Sequence, residues 1–154
     1  MILGIDFGMR YIGFALGYSK DLIIPLQAVD TKRDKNHIAI VMDLVRSYPI
    51  ELIVVGYPHM GNGHKNELKK YIDAFVSIIK EKTKKPVKTW DETLSSFEAL
   101  NMFKDLPIKP SLKKRVQNKK YHTHALSALI ILRSFLSDEK NCIQAKNYII
   151  PSRT

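Results

Sequence analysis

An aspartate, Asp6, stands in the otherwise apolar segment Ile2–Gly8 near the start of the chain. A carboxylate is rarely placed in a buried strand without a partner or a metal ion. Gly4, Gly8 and Gly13 lie around it in the sequence and suggest that the backbone comes close to a ligand. Asp6 is therefore predicted to bind a ligand, in preference to the alternative in which it caps the turn after the strand.

Two further acidic residues, Asp91 and Glu92, end a short strand that begins at Pro86. Because side chains alternate across a strand, at most one of the two is expected to share a site with Asp6. Carboxylates supply the hard oxygen ligands that Mg²⁺ or Mn²⁺ needs, and two such ions about 3.5–4 Å apart can drive an in-line displacement at a phosphate. Alternatively, the acidic pair stabilises the N-terminus of a helix that begins near Ser95.

Two histidines, His122 and His124, open the last predicted helix. A helix N-terminus disfavours a charged imidazole, so a histidine there is expected to be neutral and able to bind a metal. The two are about 200° apart around the helix, so they do not easily share one ion. The alternative for each is an ordinary surface or core histidine.

The net charge is +10, from 25 Lys and Arg against 15 Asp and Glu, and favours a polyanionic partner. A membrane partner is disfavoured because the longest apolar stretch, Ala125–Leu132, is far shorter than the roughly 20 residues of a span. A single cysteine, Cys142, excludes an intramolecular disulfide and points to the cytoplasm. The segment from Leu106 to Lys120 can grip phosphates or be a solvated loop; its basic residues are Lys109, Lys113, Lys114, Arg115, Lys119 and Lys120.

The hydrophobic periodicity predicts the elements that position these residues. Three strands are expected first, then alternating helices and strands, then two helices: Ile2–Gly8, Tyr11–Gly17 and Leu22–Val29; a helix over Ile38–Tyr48; a strand over Glu51–Tyr57; a helix over Leu68–Ile79; a strand over Pro86–Trp90; a helix from near Ser95; and a helix over His122–Leu136. This order predicts an α/β domain with a mixed five-stranded sheet, in which a three-stranded antiparallel meander is joined by parallel strands and flanked by helices. Residues 1–138 are expected to form the domain and residues 139–154 a C-terminal tail.

Four segments in order carry a resemblance to a known family. They are Gly4–Gly8 with Ile12–Ala15, Ile53–Pro58 with Met60 and Gly63, Trp90–Ser96 with Glu98 and Ala99, and His124–Leu132. In these segments the chain resembles the bacterial pre-16S rRNA nuclease family, also called the Holliday-junction-resolvase-like family. The resemblance implies the ribonuclease H-like fold, a cytoplasmic bacterial protein and a metal-dependent nuclease that trims the 5′ end of pre-16S rRNA.

The resemblance also implies roles for individual residues. Asp6 and Glu92 match the first two acidic metal ligands, and Asp91 is a weaker candidate. His124 stands where the family has an aspartate. This exchange removes one negative charge, so it is expected to weaken Mg²⁺ binding, to favour Mn²⁺ or a softer ion, and to make metal binding fall as His124 is protonated.

The sequence thus predicts a phosphodiesterase whose metal is held by Asp6, Glu92 and His124. We expect the nucleic acid to be bound by loop cations and by Arg10, which lies between the first two strands; the loop cations are Lys113, Lys114, Arg115, Lys119 and Lys120. A resolvase that cuts branched DNA is the main alternative, and it predicts a homodimer rather than a monomer. The other is a nucleic-acid-binding module without activity, which the histidine at position 124 suggests.

Overall fold

Six strands and three helices make up the part of the protein that its computed structural model describes, residues 1–58, 64–92 and 122–138. The predicted helix from near Ser95, the basic loop and residues 139–154 lie outside these ranges. In chain order the elements are β1 (Ile2–Phe7), β2 (Tyr11–Gly17), β3 (Ile23–Pro25), β4 (Val29–Asp30), α1 (His37–Ser47), β5 (Leu52–Pro58), α2 (His64–Thr83), β6 (Val87–Glu92) and α3 (His122–Ser137).

The strands form one mixed sheet in the order β3-β2-β1-β5-β6, with β4 also paired to β2. β1 and β2 are antiparallel and joined by a short turn, whereas β5 runs parallel to both β1 and β6. Parallel neighbours need a crossover connection, and α1 and α2 lie in the two crossovers. The predicted combination of an antiparallel meander with parallel strands is confirmed.

The third strand differs from its prediction because it is divided into β3 and β4. Ala15 pairs with Pro25 and Ile12 pairs with Val29, so three steps along β2 match four steps along the other strand. One extra residue in a ladder is a β-bulge, which locally breaks the pairing. The edge of the sheet therefore holds two short strands in the position where one continuous strand was predicted.

The two faces of the sheet are packed by different helices. On one face, Leu3 and Ile5 of β1 and Ile53 and Val55 of β5 form a core with apolar residues of α1 and α2, including Phe75. On the other face, the alternate residues of β1, β2 and β5 pack against α3. Asp6 belongs by strand alternation to the α3 face.

Small residues on β1 and β2 allow α3 to approach the sheet closely. A Cβ on Gly4 would collide with Leu132 and a Cβ on Gly13 would collide with the backbone of His124. His124, Ala128 and Leu132 are four residues apart, so they share the side of α3 that faces the sheet. A close approach to the backbone at Gly4 and Gly13 therefore exists, as predicted, but the group that approaches is helix α3 and not a ligand.

Within the described ranges, no helix has both the length and the apolarity that crossing a bilayer requires.

Candidate active site at the carboxyl edge of the sheet

Asp6 and His124 are in direct contact, although 118 residues separate them in the chain. The Nδ1 atom of His124 lies 2.8 Å from Oδ2 of Asp6. The side chain of Asp6 is 13% exposed and that of His124 is 32% exposed. Two of the predicted site residues thus meet at a partly covered position that small molecules and water can still reach.

Local features of the sequence place His124 at this point. It is the third residue of α3, whose first turn lies on Gly13 of β2. A Cβ on Gly8 would come within 3.2 Å of Cε1 of His124, so the glycine leaves room for the imidazole. The ring of Tyr11 covers the imidazole from the side, with the two ring centres 5.7 Å apart.

The contact with an ionised Asp6 determines which ring nitrogen of His124 carries a proton. An ionised carboxylate only accepts hydrogen bonds, so Nδ1 must carry the proton that it donates to Oδ2. In the neutral ring, the lone pair then belongs to Nε2. A carboxylate that orients a histidine in this way is a common partner of metal-binding and proton-accepting imidazoles. The second oxygen of Asp6 and Nε2 of His124 are the atoms left for ligand chemistry.

Strand β6 brings Glu92 to the same face and the same edge as Asp6. Trp90 packs on the α3 face, where its Nε1 donates to Oγ of Ser134 at 3.1 Å. Because alternate residues of a strand share a face, position 92 falls on the face of Trp90, and the exposed Asp91 falls on the opposite one. That only one of this pair can share a site with Asp6 stays a prediction. The side chain of Glu92 itself lies outside the described part of the structure.

Gly56, which is buried, lies on β5 between β1 and β6. Ile5 pairs with Val55, so the next residues along, Asp6 and Gly56, are neighbours, and Gly56 pairs with Trp90. Two strand spacings separate β1 from β6, which is about 10 Å. Because glycine has no side chain, β5 places no side chain between Asp6 and β6 at this position.

A family model described as RuvX, Holliday junction resolvase, matches residues 1–138. The chain belongs to this family. Its relatives include proteins named "Putative pre-16S rRNA nuclease" from Dictyoglomus thermophilum, 32% identical over 88% of this chain and 94% of the relative, and from Desulforamulus reducens, 30% identical over 88% and 95%.

Two solved structures of resolvases share the fold of this chain. Thermus thermophilus RuvC in complex with a Holliday junction aligns with a TM-score of 0.56 and 17% identity over 87% of this chain and 91% of that chain. The Fowlpox virus resolvase bound to Holliday junction DNA aligns with a TM-score of 0.56 and 12% identity over 89% and 99%. At these identities the likeness concerns the fold, and the predicted ribonuclease H-like fold is confirmed.

Arg10 lies beside the site of this RuvX family member. Its guanidinium is 5.2 Å above the ring of Tyr11, the same ring that covers His124. One nitrogen, Nη2, is 3.9 Å from Oδ2 of Asp30, but the side chain is 57% exposed. Thr31 holds the turn through hydrogen bonds from Oγ1 to the carbonyl oxygens of Met9 and Arg10. The five predicted loop cations, by contrast, lie outside the described residues.

Tyr11 is a site residue that the sequence did not single out. Its position directly after the turn, opposite Asp30 in the β2–β4 ladder, places it at the edge where His124 arrives. Tyrosine within a strand is ordinarily a packing residue. Only the docking of α3 shows that its ring contacts a candidate site residue.

Proposed function

We propose that this protein is a divalent-metal-dependent nuclease that hydrolyses phosphodiester bonds in structured nucleic acid, and that its task is 5′-end processing of pre-16S rRNA. The contact between Asp6 and His124 carries the proposal, because it joins two metal-binding residue types at one edge of the sheet. The names of the relatives support the substrate. The single cysteine and the bacterial relatives favour a cytoplasmic location.

The metal-binding atoms of Asp6 and His124 are enough to contribute to a site for one divalent ion, but not to complete a site for two ions. In the described residues, no group of three or more His, Cys, Asp and Glu converges, and the pair Asp6 and His124 provides one oxygen and one nitrogen donor. Asp6 has no lysine or arginine ion-pair partner among these residues. Its charge is thus available to a cation, and Glu92 is the acidic residue on the same face that would add a third donor.

The chemistry that a divalent ion supplies in such a site is neutralisation of phosphate charge and activation of a water molecule. The protein's own residues contribute orientation and binding. While the proton of His124 is on Nδ1, Nε2 lies on the far side of the ring from Asp6. The two residues would therefore share one ion through Oδ2 and Nδ1, which are 2.8 Å apart, with the ion replacing that proton. Arg10 and the cations Lys113, Lys114, Arg115, Lys119 and Lys120 would hold the nucleic-acid backbone.

Histidine in place of a carboxylate sets the expected metal preference. An imidazole is a softer and uncharged ligand, so Mn²⁺ should support activity better than Mg²⁺. Cleavage of a 5′-extended 16S precursor RNA tests this with wild type, Asp6→Asn and His124→Asp, each in Mn²⁺ and in Mg²⁺. Asp43→Asn is the matched control, because Asp43 lies on α1 with 70% of its side chain exposed.

The proposal predicts that wild type and Asp43→Asn cut in Mn²⁺, that Asp6→Asn does not, and that His124→Asp shifts the preference toward Mg²⁺. Cutting by Asp6→Asn at the wild-type rate would overturn the site. If wild type binds the RNA without cutting in either metal and His124→Asp cuts, the natural protein is a binding module with a lapsed site.

A resolvase acting on branched DNA is the second candidate, because the matching family is described as Holliday junction resolvase. Symmetric cutting of a junction needs two active sites in one assembly, so it predicts a homodimer. Sedimentation of the protein with a four-way DNA junction gives its oligomeric state, and incubation with the junction and with the precursor RNA shows which of them it cuts. A monomer that cuts precursor RNA but leaves the junction intact supports the RNA substrate.

A further inference from the structure

A cavity of about 490 Å³ lies next to the candidate site, on the opposite face of the sheet. It is bounded by the end of β1, the turn after β1, the start of α1 and the outer side of α2. Its volume falls in the range of small-ligand pockets, roughly 300–1,000 Å³. Three large apolar side chains that line it are exposed, namely Met9, Tyr71 and Ile78.

Aromatic rings form one wall of the cavity. The rings of Phe7 and Phe75 are 4.8 Å apart, and those of His37 and Phe75 are 5.8 Å apart at an angle of 35°. Tyr71 adds a ring that is 52% exposed at the mouth. Flat rings at the edge of an open cavity suit another flat ring, because stacking buries both faces.

His37 adds a neutral ring to this wall. Its Nδ1 is buried and has no hydrogen-bond partner among the described residues. Burial lowers the pKa of His37, so the ring stays neutral near pH 7. A neutral imidazole stacks on an uncharged ring without the desolvation cost that a charged one would bring.

Basic residues lie at the mouth of the cavity. Lys35 lines it, and Lys32 and Arg33 are exposed on the same segment, with Asp34 as the acidic residue among them. An apolar peptide or lipid tail would not need these charges. A ligand with both a flat ring and a phosphate uses the aromatic wall and the cations together.

The cavity and the candidate site share strand β1. Phe7 lines the cavity and directly follows Asp6, and Met9 lines it from the turn that also carries Arg10. Successive residues of a strand point to opposite faces, so the cavity opens on the other side of the same sheet edge. A nucleotide close to a phosphate at Asp6 can therefore extend over this edge.

We propose that this cavity binds an unstacked nucleobase of the substrate strand, with the base against Phe7, His37 and Tyr71, the buried Phe75 behind them and a neighbouring phosphate near Lys35. The inference rests on the proposed nuclease function and adds a preference for substrates with an unpaired or displaced base beside the cleavage point. It assigns Tyr71 and Lys35 to binding, not to the chemical step.

Binding in EDTA tests the cavity apart from catalysis. The probes are a short single-stranded RNA of mixed sequence and the same strand made with abasic nucleotides, each followed by fluorescence anisotropy. Stacking on aromatic side chains is worth a factor of roughly 5 to 150 per base, so wild type should bind the base-bearing strand at least about fivefold more tightly. Tyr71→Ala should lose most of this difference and bind the abasic strand as wild type does.

Leu22→Ala is the matched control, because Leu22 is 51% exposed in the turn between β2 and β3, at the other end of the sheet. It should bind both strands as wild type does. In parallel, the methyl resonance of Met9 in protein with ¹³C-labelled methionine should shift with the base-bearing strand and not with the abasic one.

The possible outcomes test the nucleobase site and the proposed nuclease function separately. Equal affinity of wild type for both strands, or equal loss by Tyr71→Ala on both, overturns the nucleobase site while Asp6-dependent cleavage can still stand. Failure of wild type to bind either strand overturns the nucleobase site, and cleavage of the precursor RNA in Mn²⁺ then decides the nuclease function separately. A variant Asp6→Asn that neither cuts nor changes the base-dependent binding is the expected result for two separate sites.

Discussion

The contact between Asp6 and His124 has different consequences with and without a metal ion. In the natural protein the imidazole gains a hydrogen bond to the carboxylate and adds no negative charge beside it. A second carboxylate in its place would put two like charges together, which is unfavourable unless a proton or a cation lies between them. The histidine thus allows the site to form without a metal.

This difference gives a stability prediction for His124→Asp. Without metal, the variant should be less stable than wild type at pH 7.5 by about 1–3 kcal/mol, because it loses the hydrogen bond and gains the repulsion. Adding Mg²⁺ should raise its melting temperature more than that of wild type. Calorimetry in EDTA and in Mg²⁺ measures both. Equal stabilisation of the two proteins by Mg²⁺ would show that position 124 is not a ligand.

At the scale of elements, the close packing of α3 on β1 and β2 positions the site. The sequence predicted β1, β2 and β5 because their apolar runs are clear, and it predicted β6 as a short strand from Pro86. The bulge between β3 and β4 was missed because one extra residue leaves no mark on hydrophobicity. The role of Gly13 was also misassigned, since a glycine that admits a helix looks the same in sequence as one that admits a ligand.

A pair of glycine substitutions tests this packing. Gly13→Ala should destabilise the protein by about 1–3 kcal/mol or more and abolish cleavage, because its Cβ would displace the first turn of α3 and His124 with it. Gly17→Ala is the matched control, since its Cβ would meet Leu132 at 3.4 Å, an ordinary contact. Urea denaturation measures the free energy of unfolding. Similar stability of the two variants would contradict the packing described for α3.

Contacts between distant segments explain why the site was only partly predictable. Strand alternation alone separates position 92 from position 91 in β6. The partner of Asp6 could not be derived from spacing, because His124 reaches it only after α3 docks. Tyr11 and the aromatic cavity were missed for the same reason, as their rings come from elements far apart in the chain.

At the scale of the whole molecule, the net charge of +10 predicts strong salt dependence of nucleic-acid binding. If Arg10 and the five loop cations each contact a phosphate, a plot of log affinity against log salt concentration should have a slope of about −4 to −5. Arg10→Ala should reduce its magnitude by about 1. Arg46→Ala on α1, with 71% of the side chain exposed, should leave it unchanged. A slope near zero for wild type would exclude electrostatic binding by these residues.

Asp6 and His124 are proposed to hold the metal ion of the nuclease. The most direct test of this proposal is Mn²⁺ binding to the purified protein, followed by electron paramagnetic resonance of the free ion. Wild type and Asp43→Asn are predicted to bind Mn²⁺ with the same affinity, and Asp6→Asn to bind it at least tenfold more weakly. Unchanged Mn²⁺ affinity in Asp6→Asn would contradict the account, because the ion would then be held elsewhere.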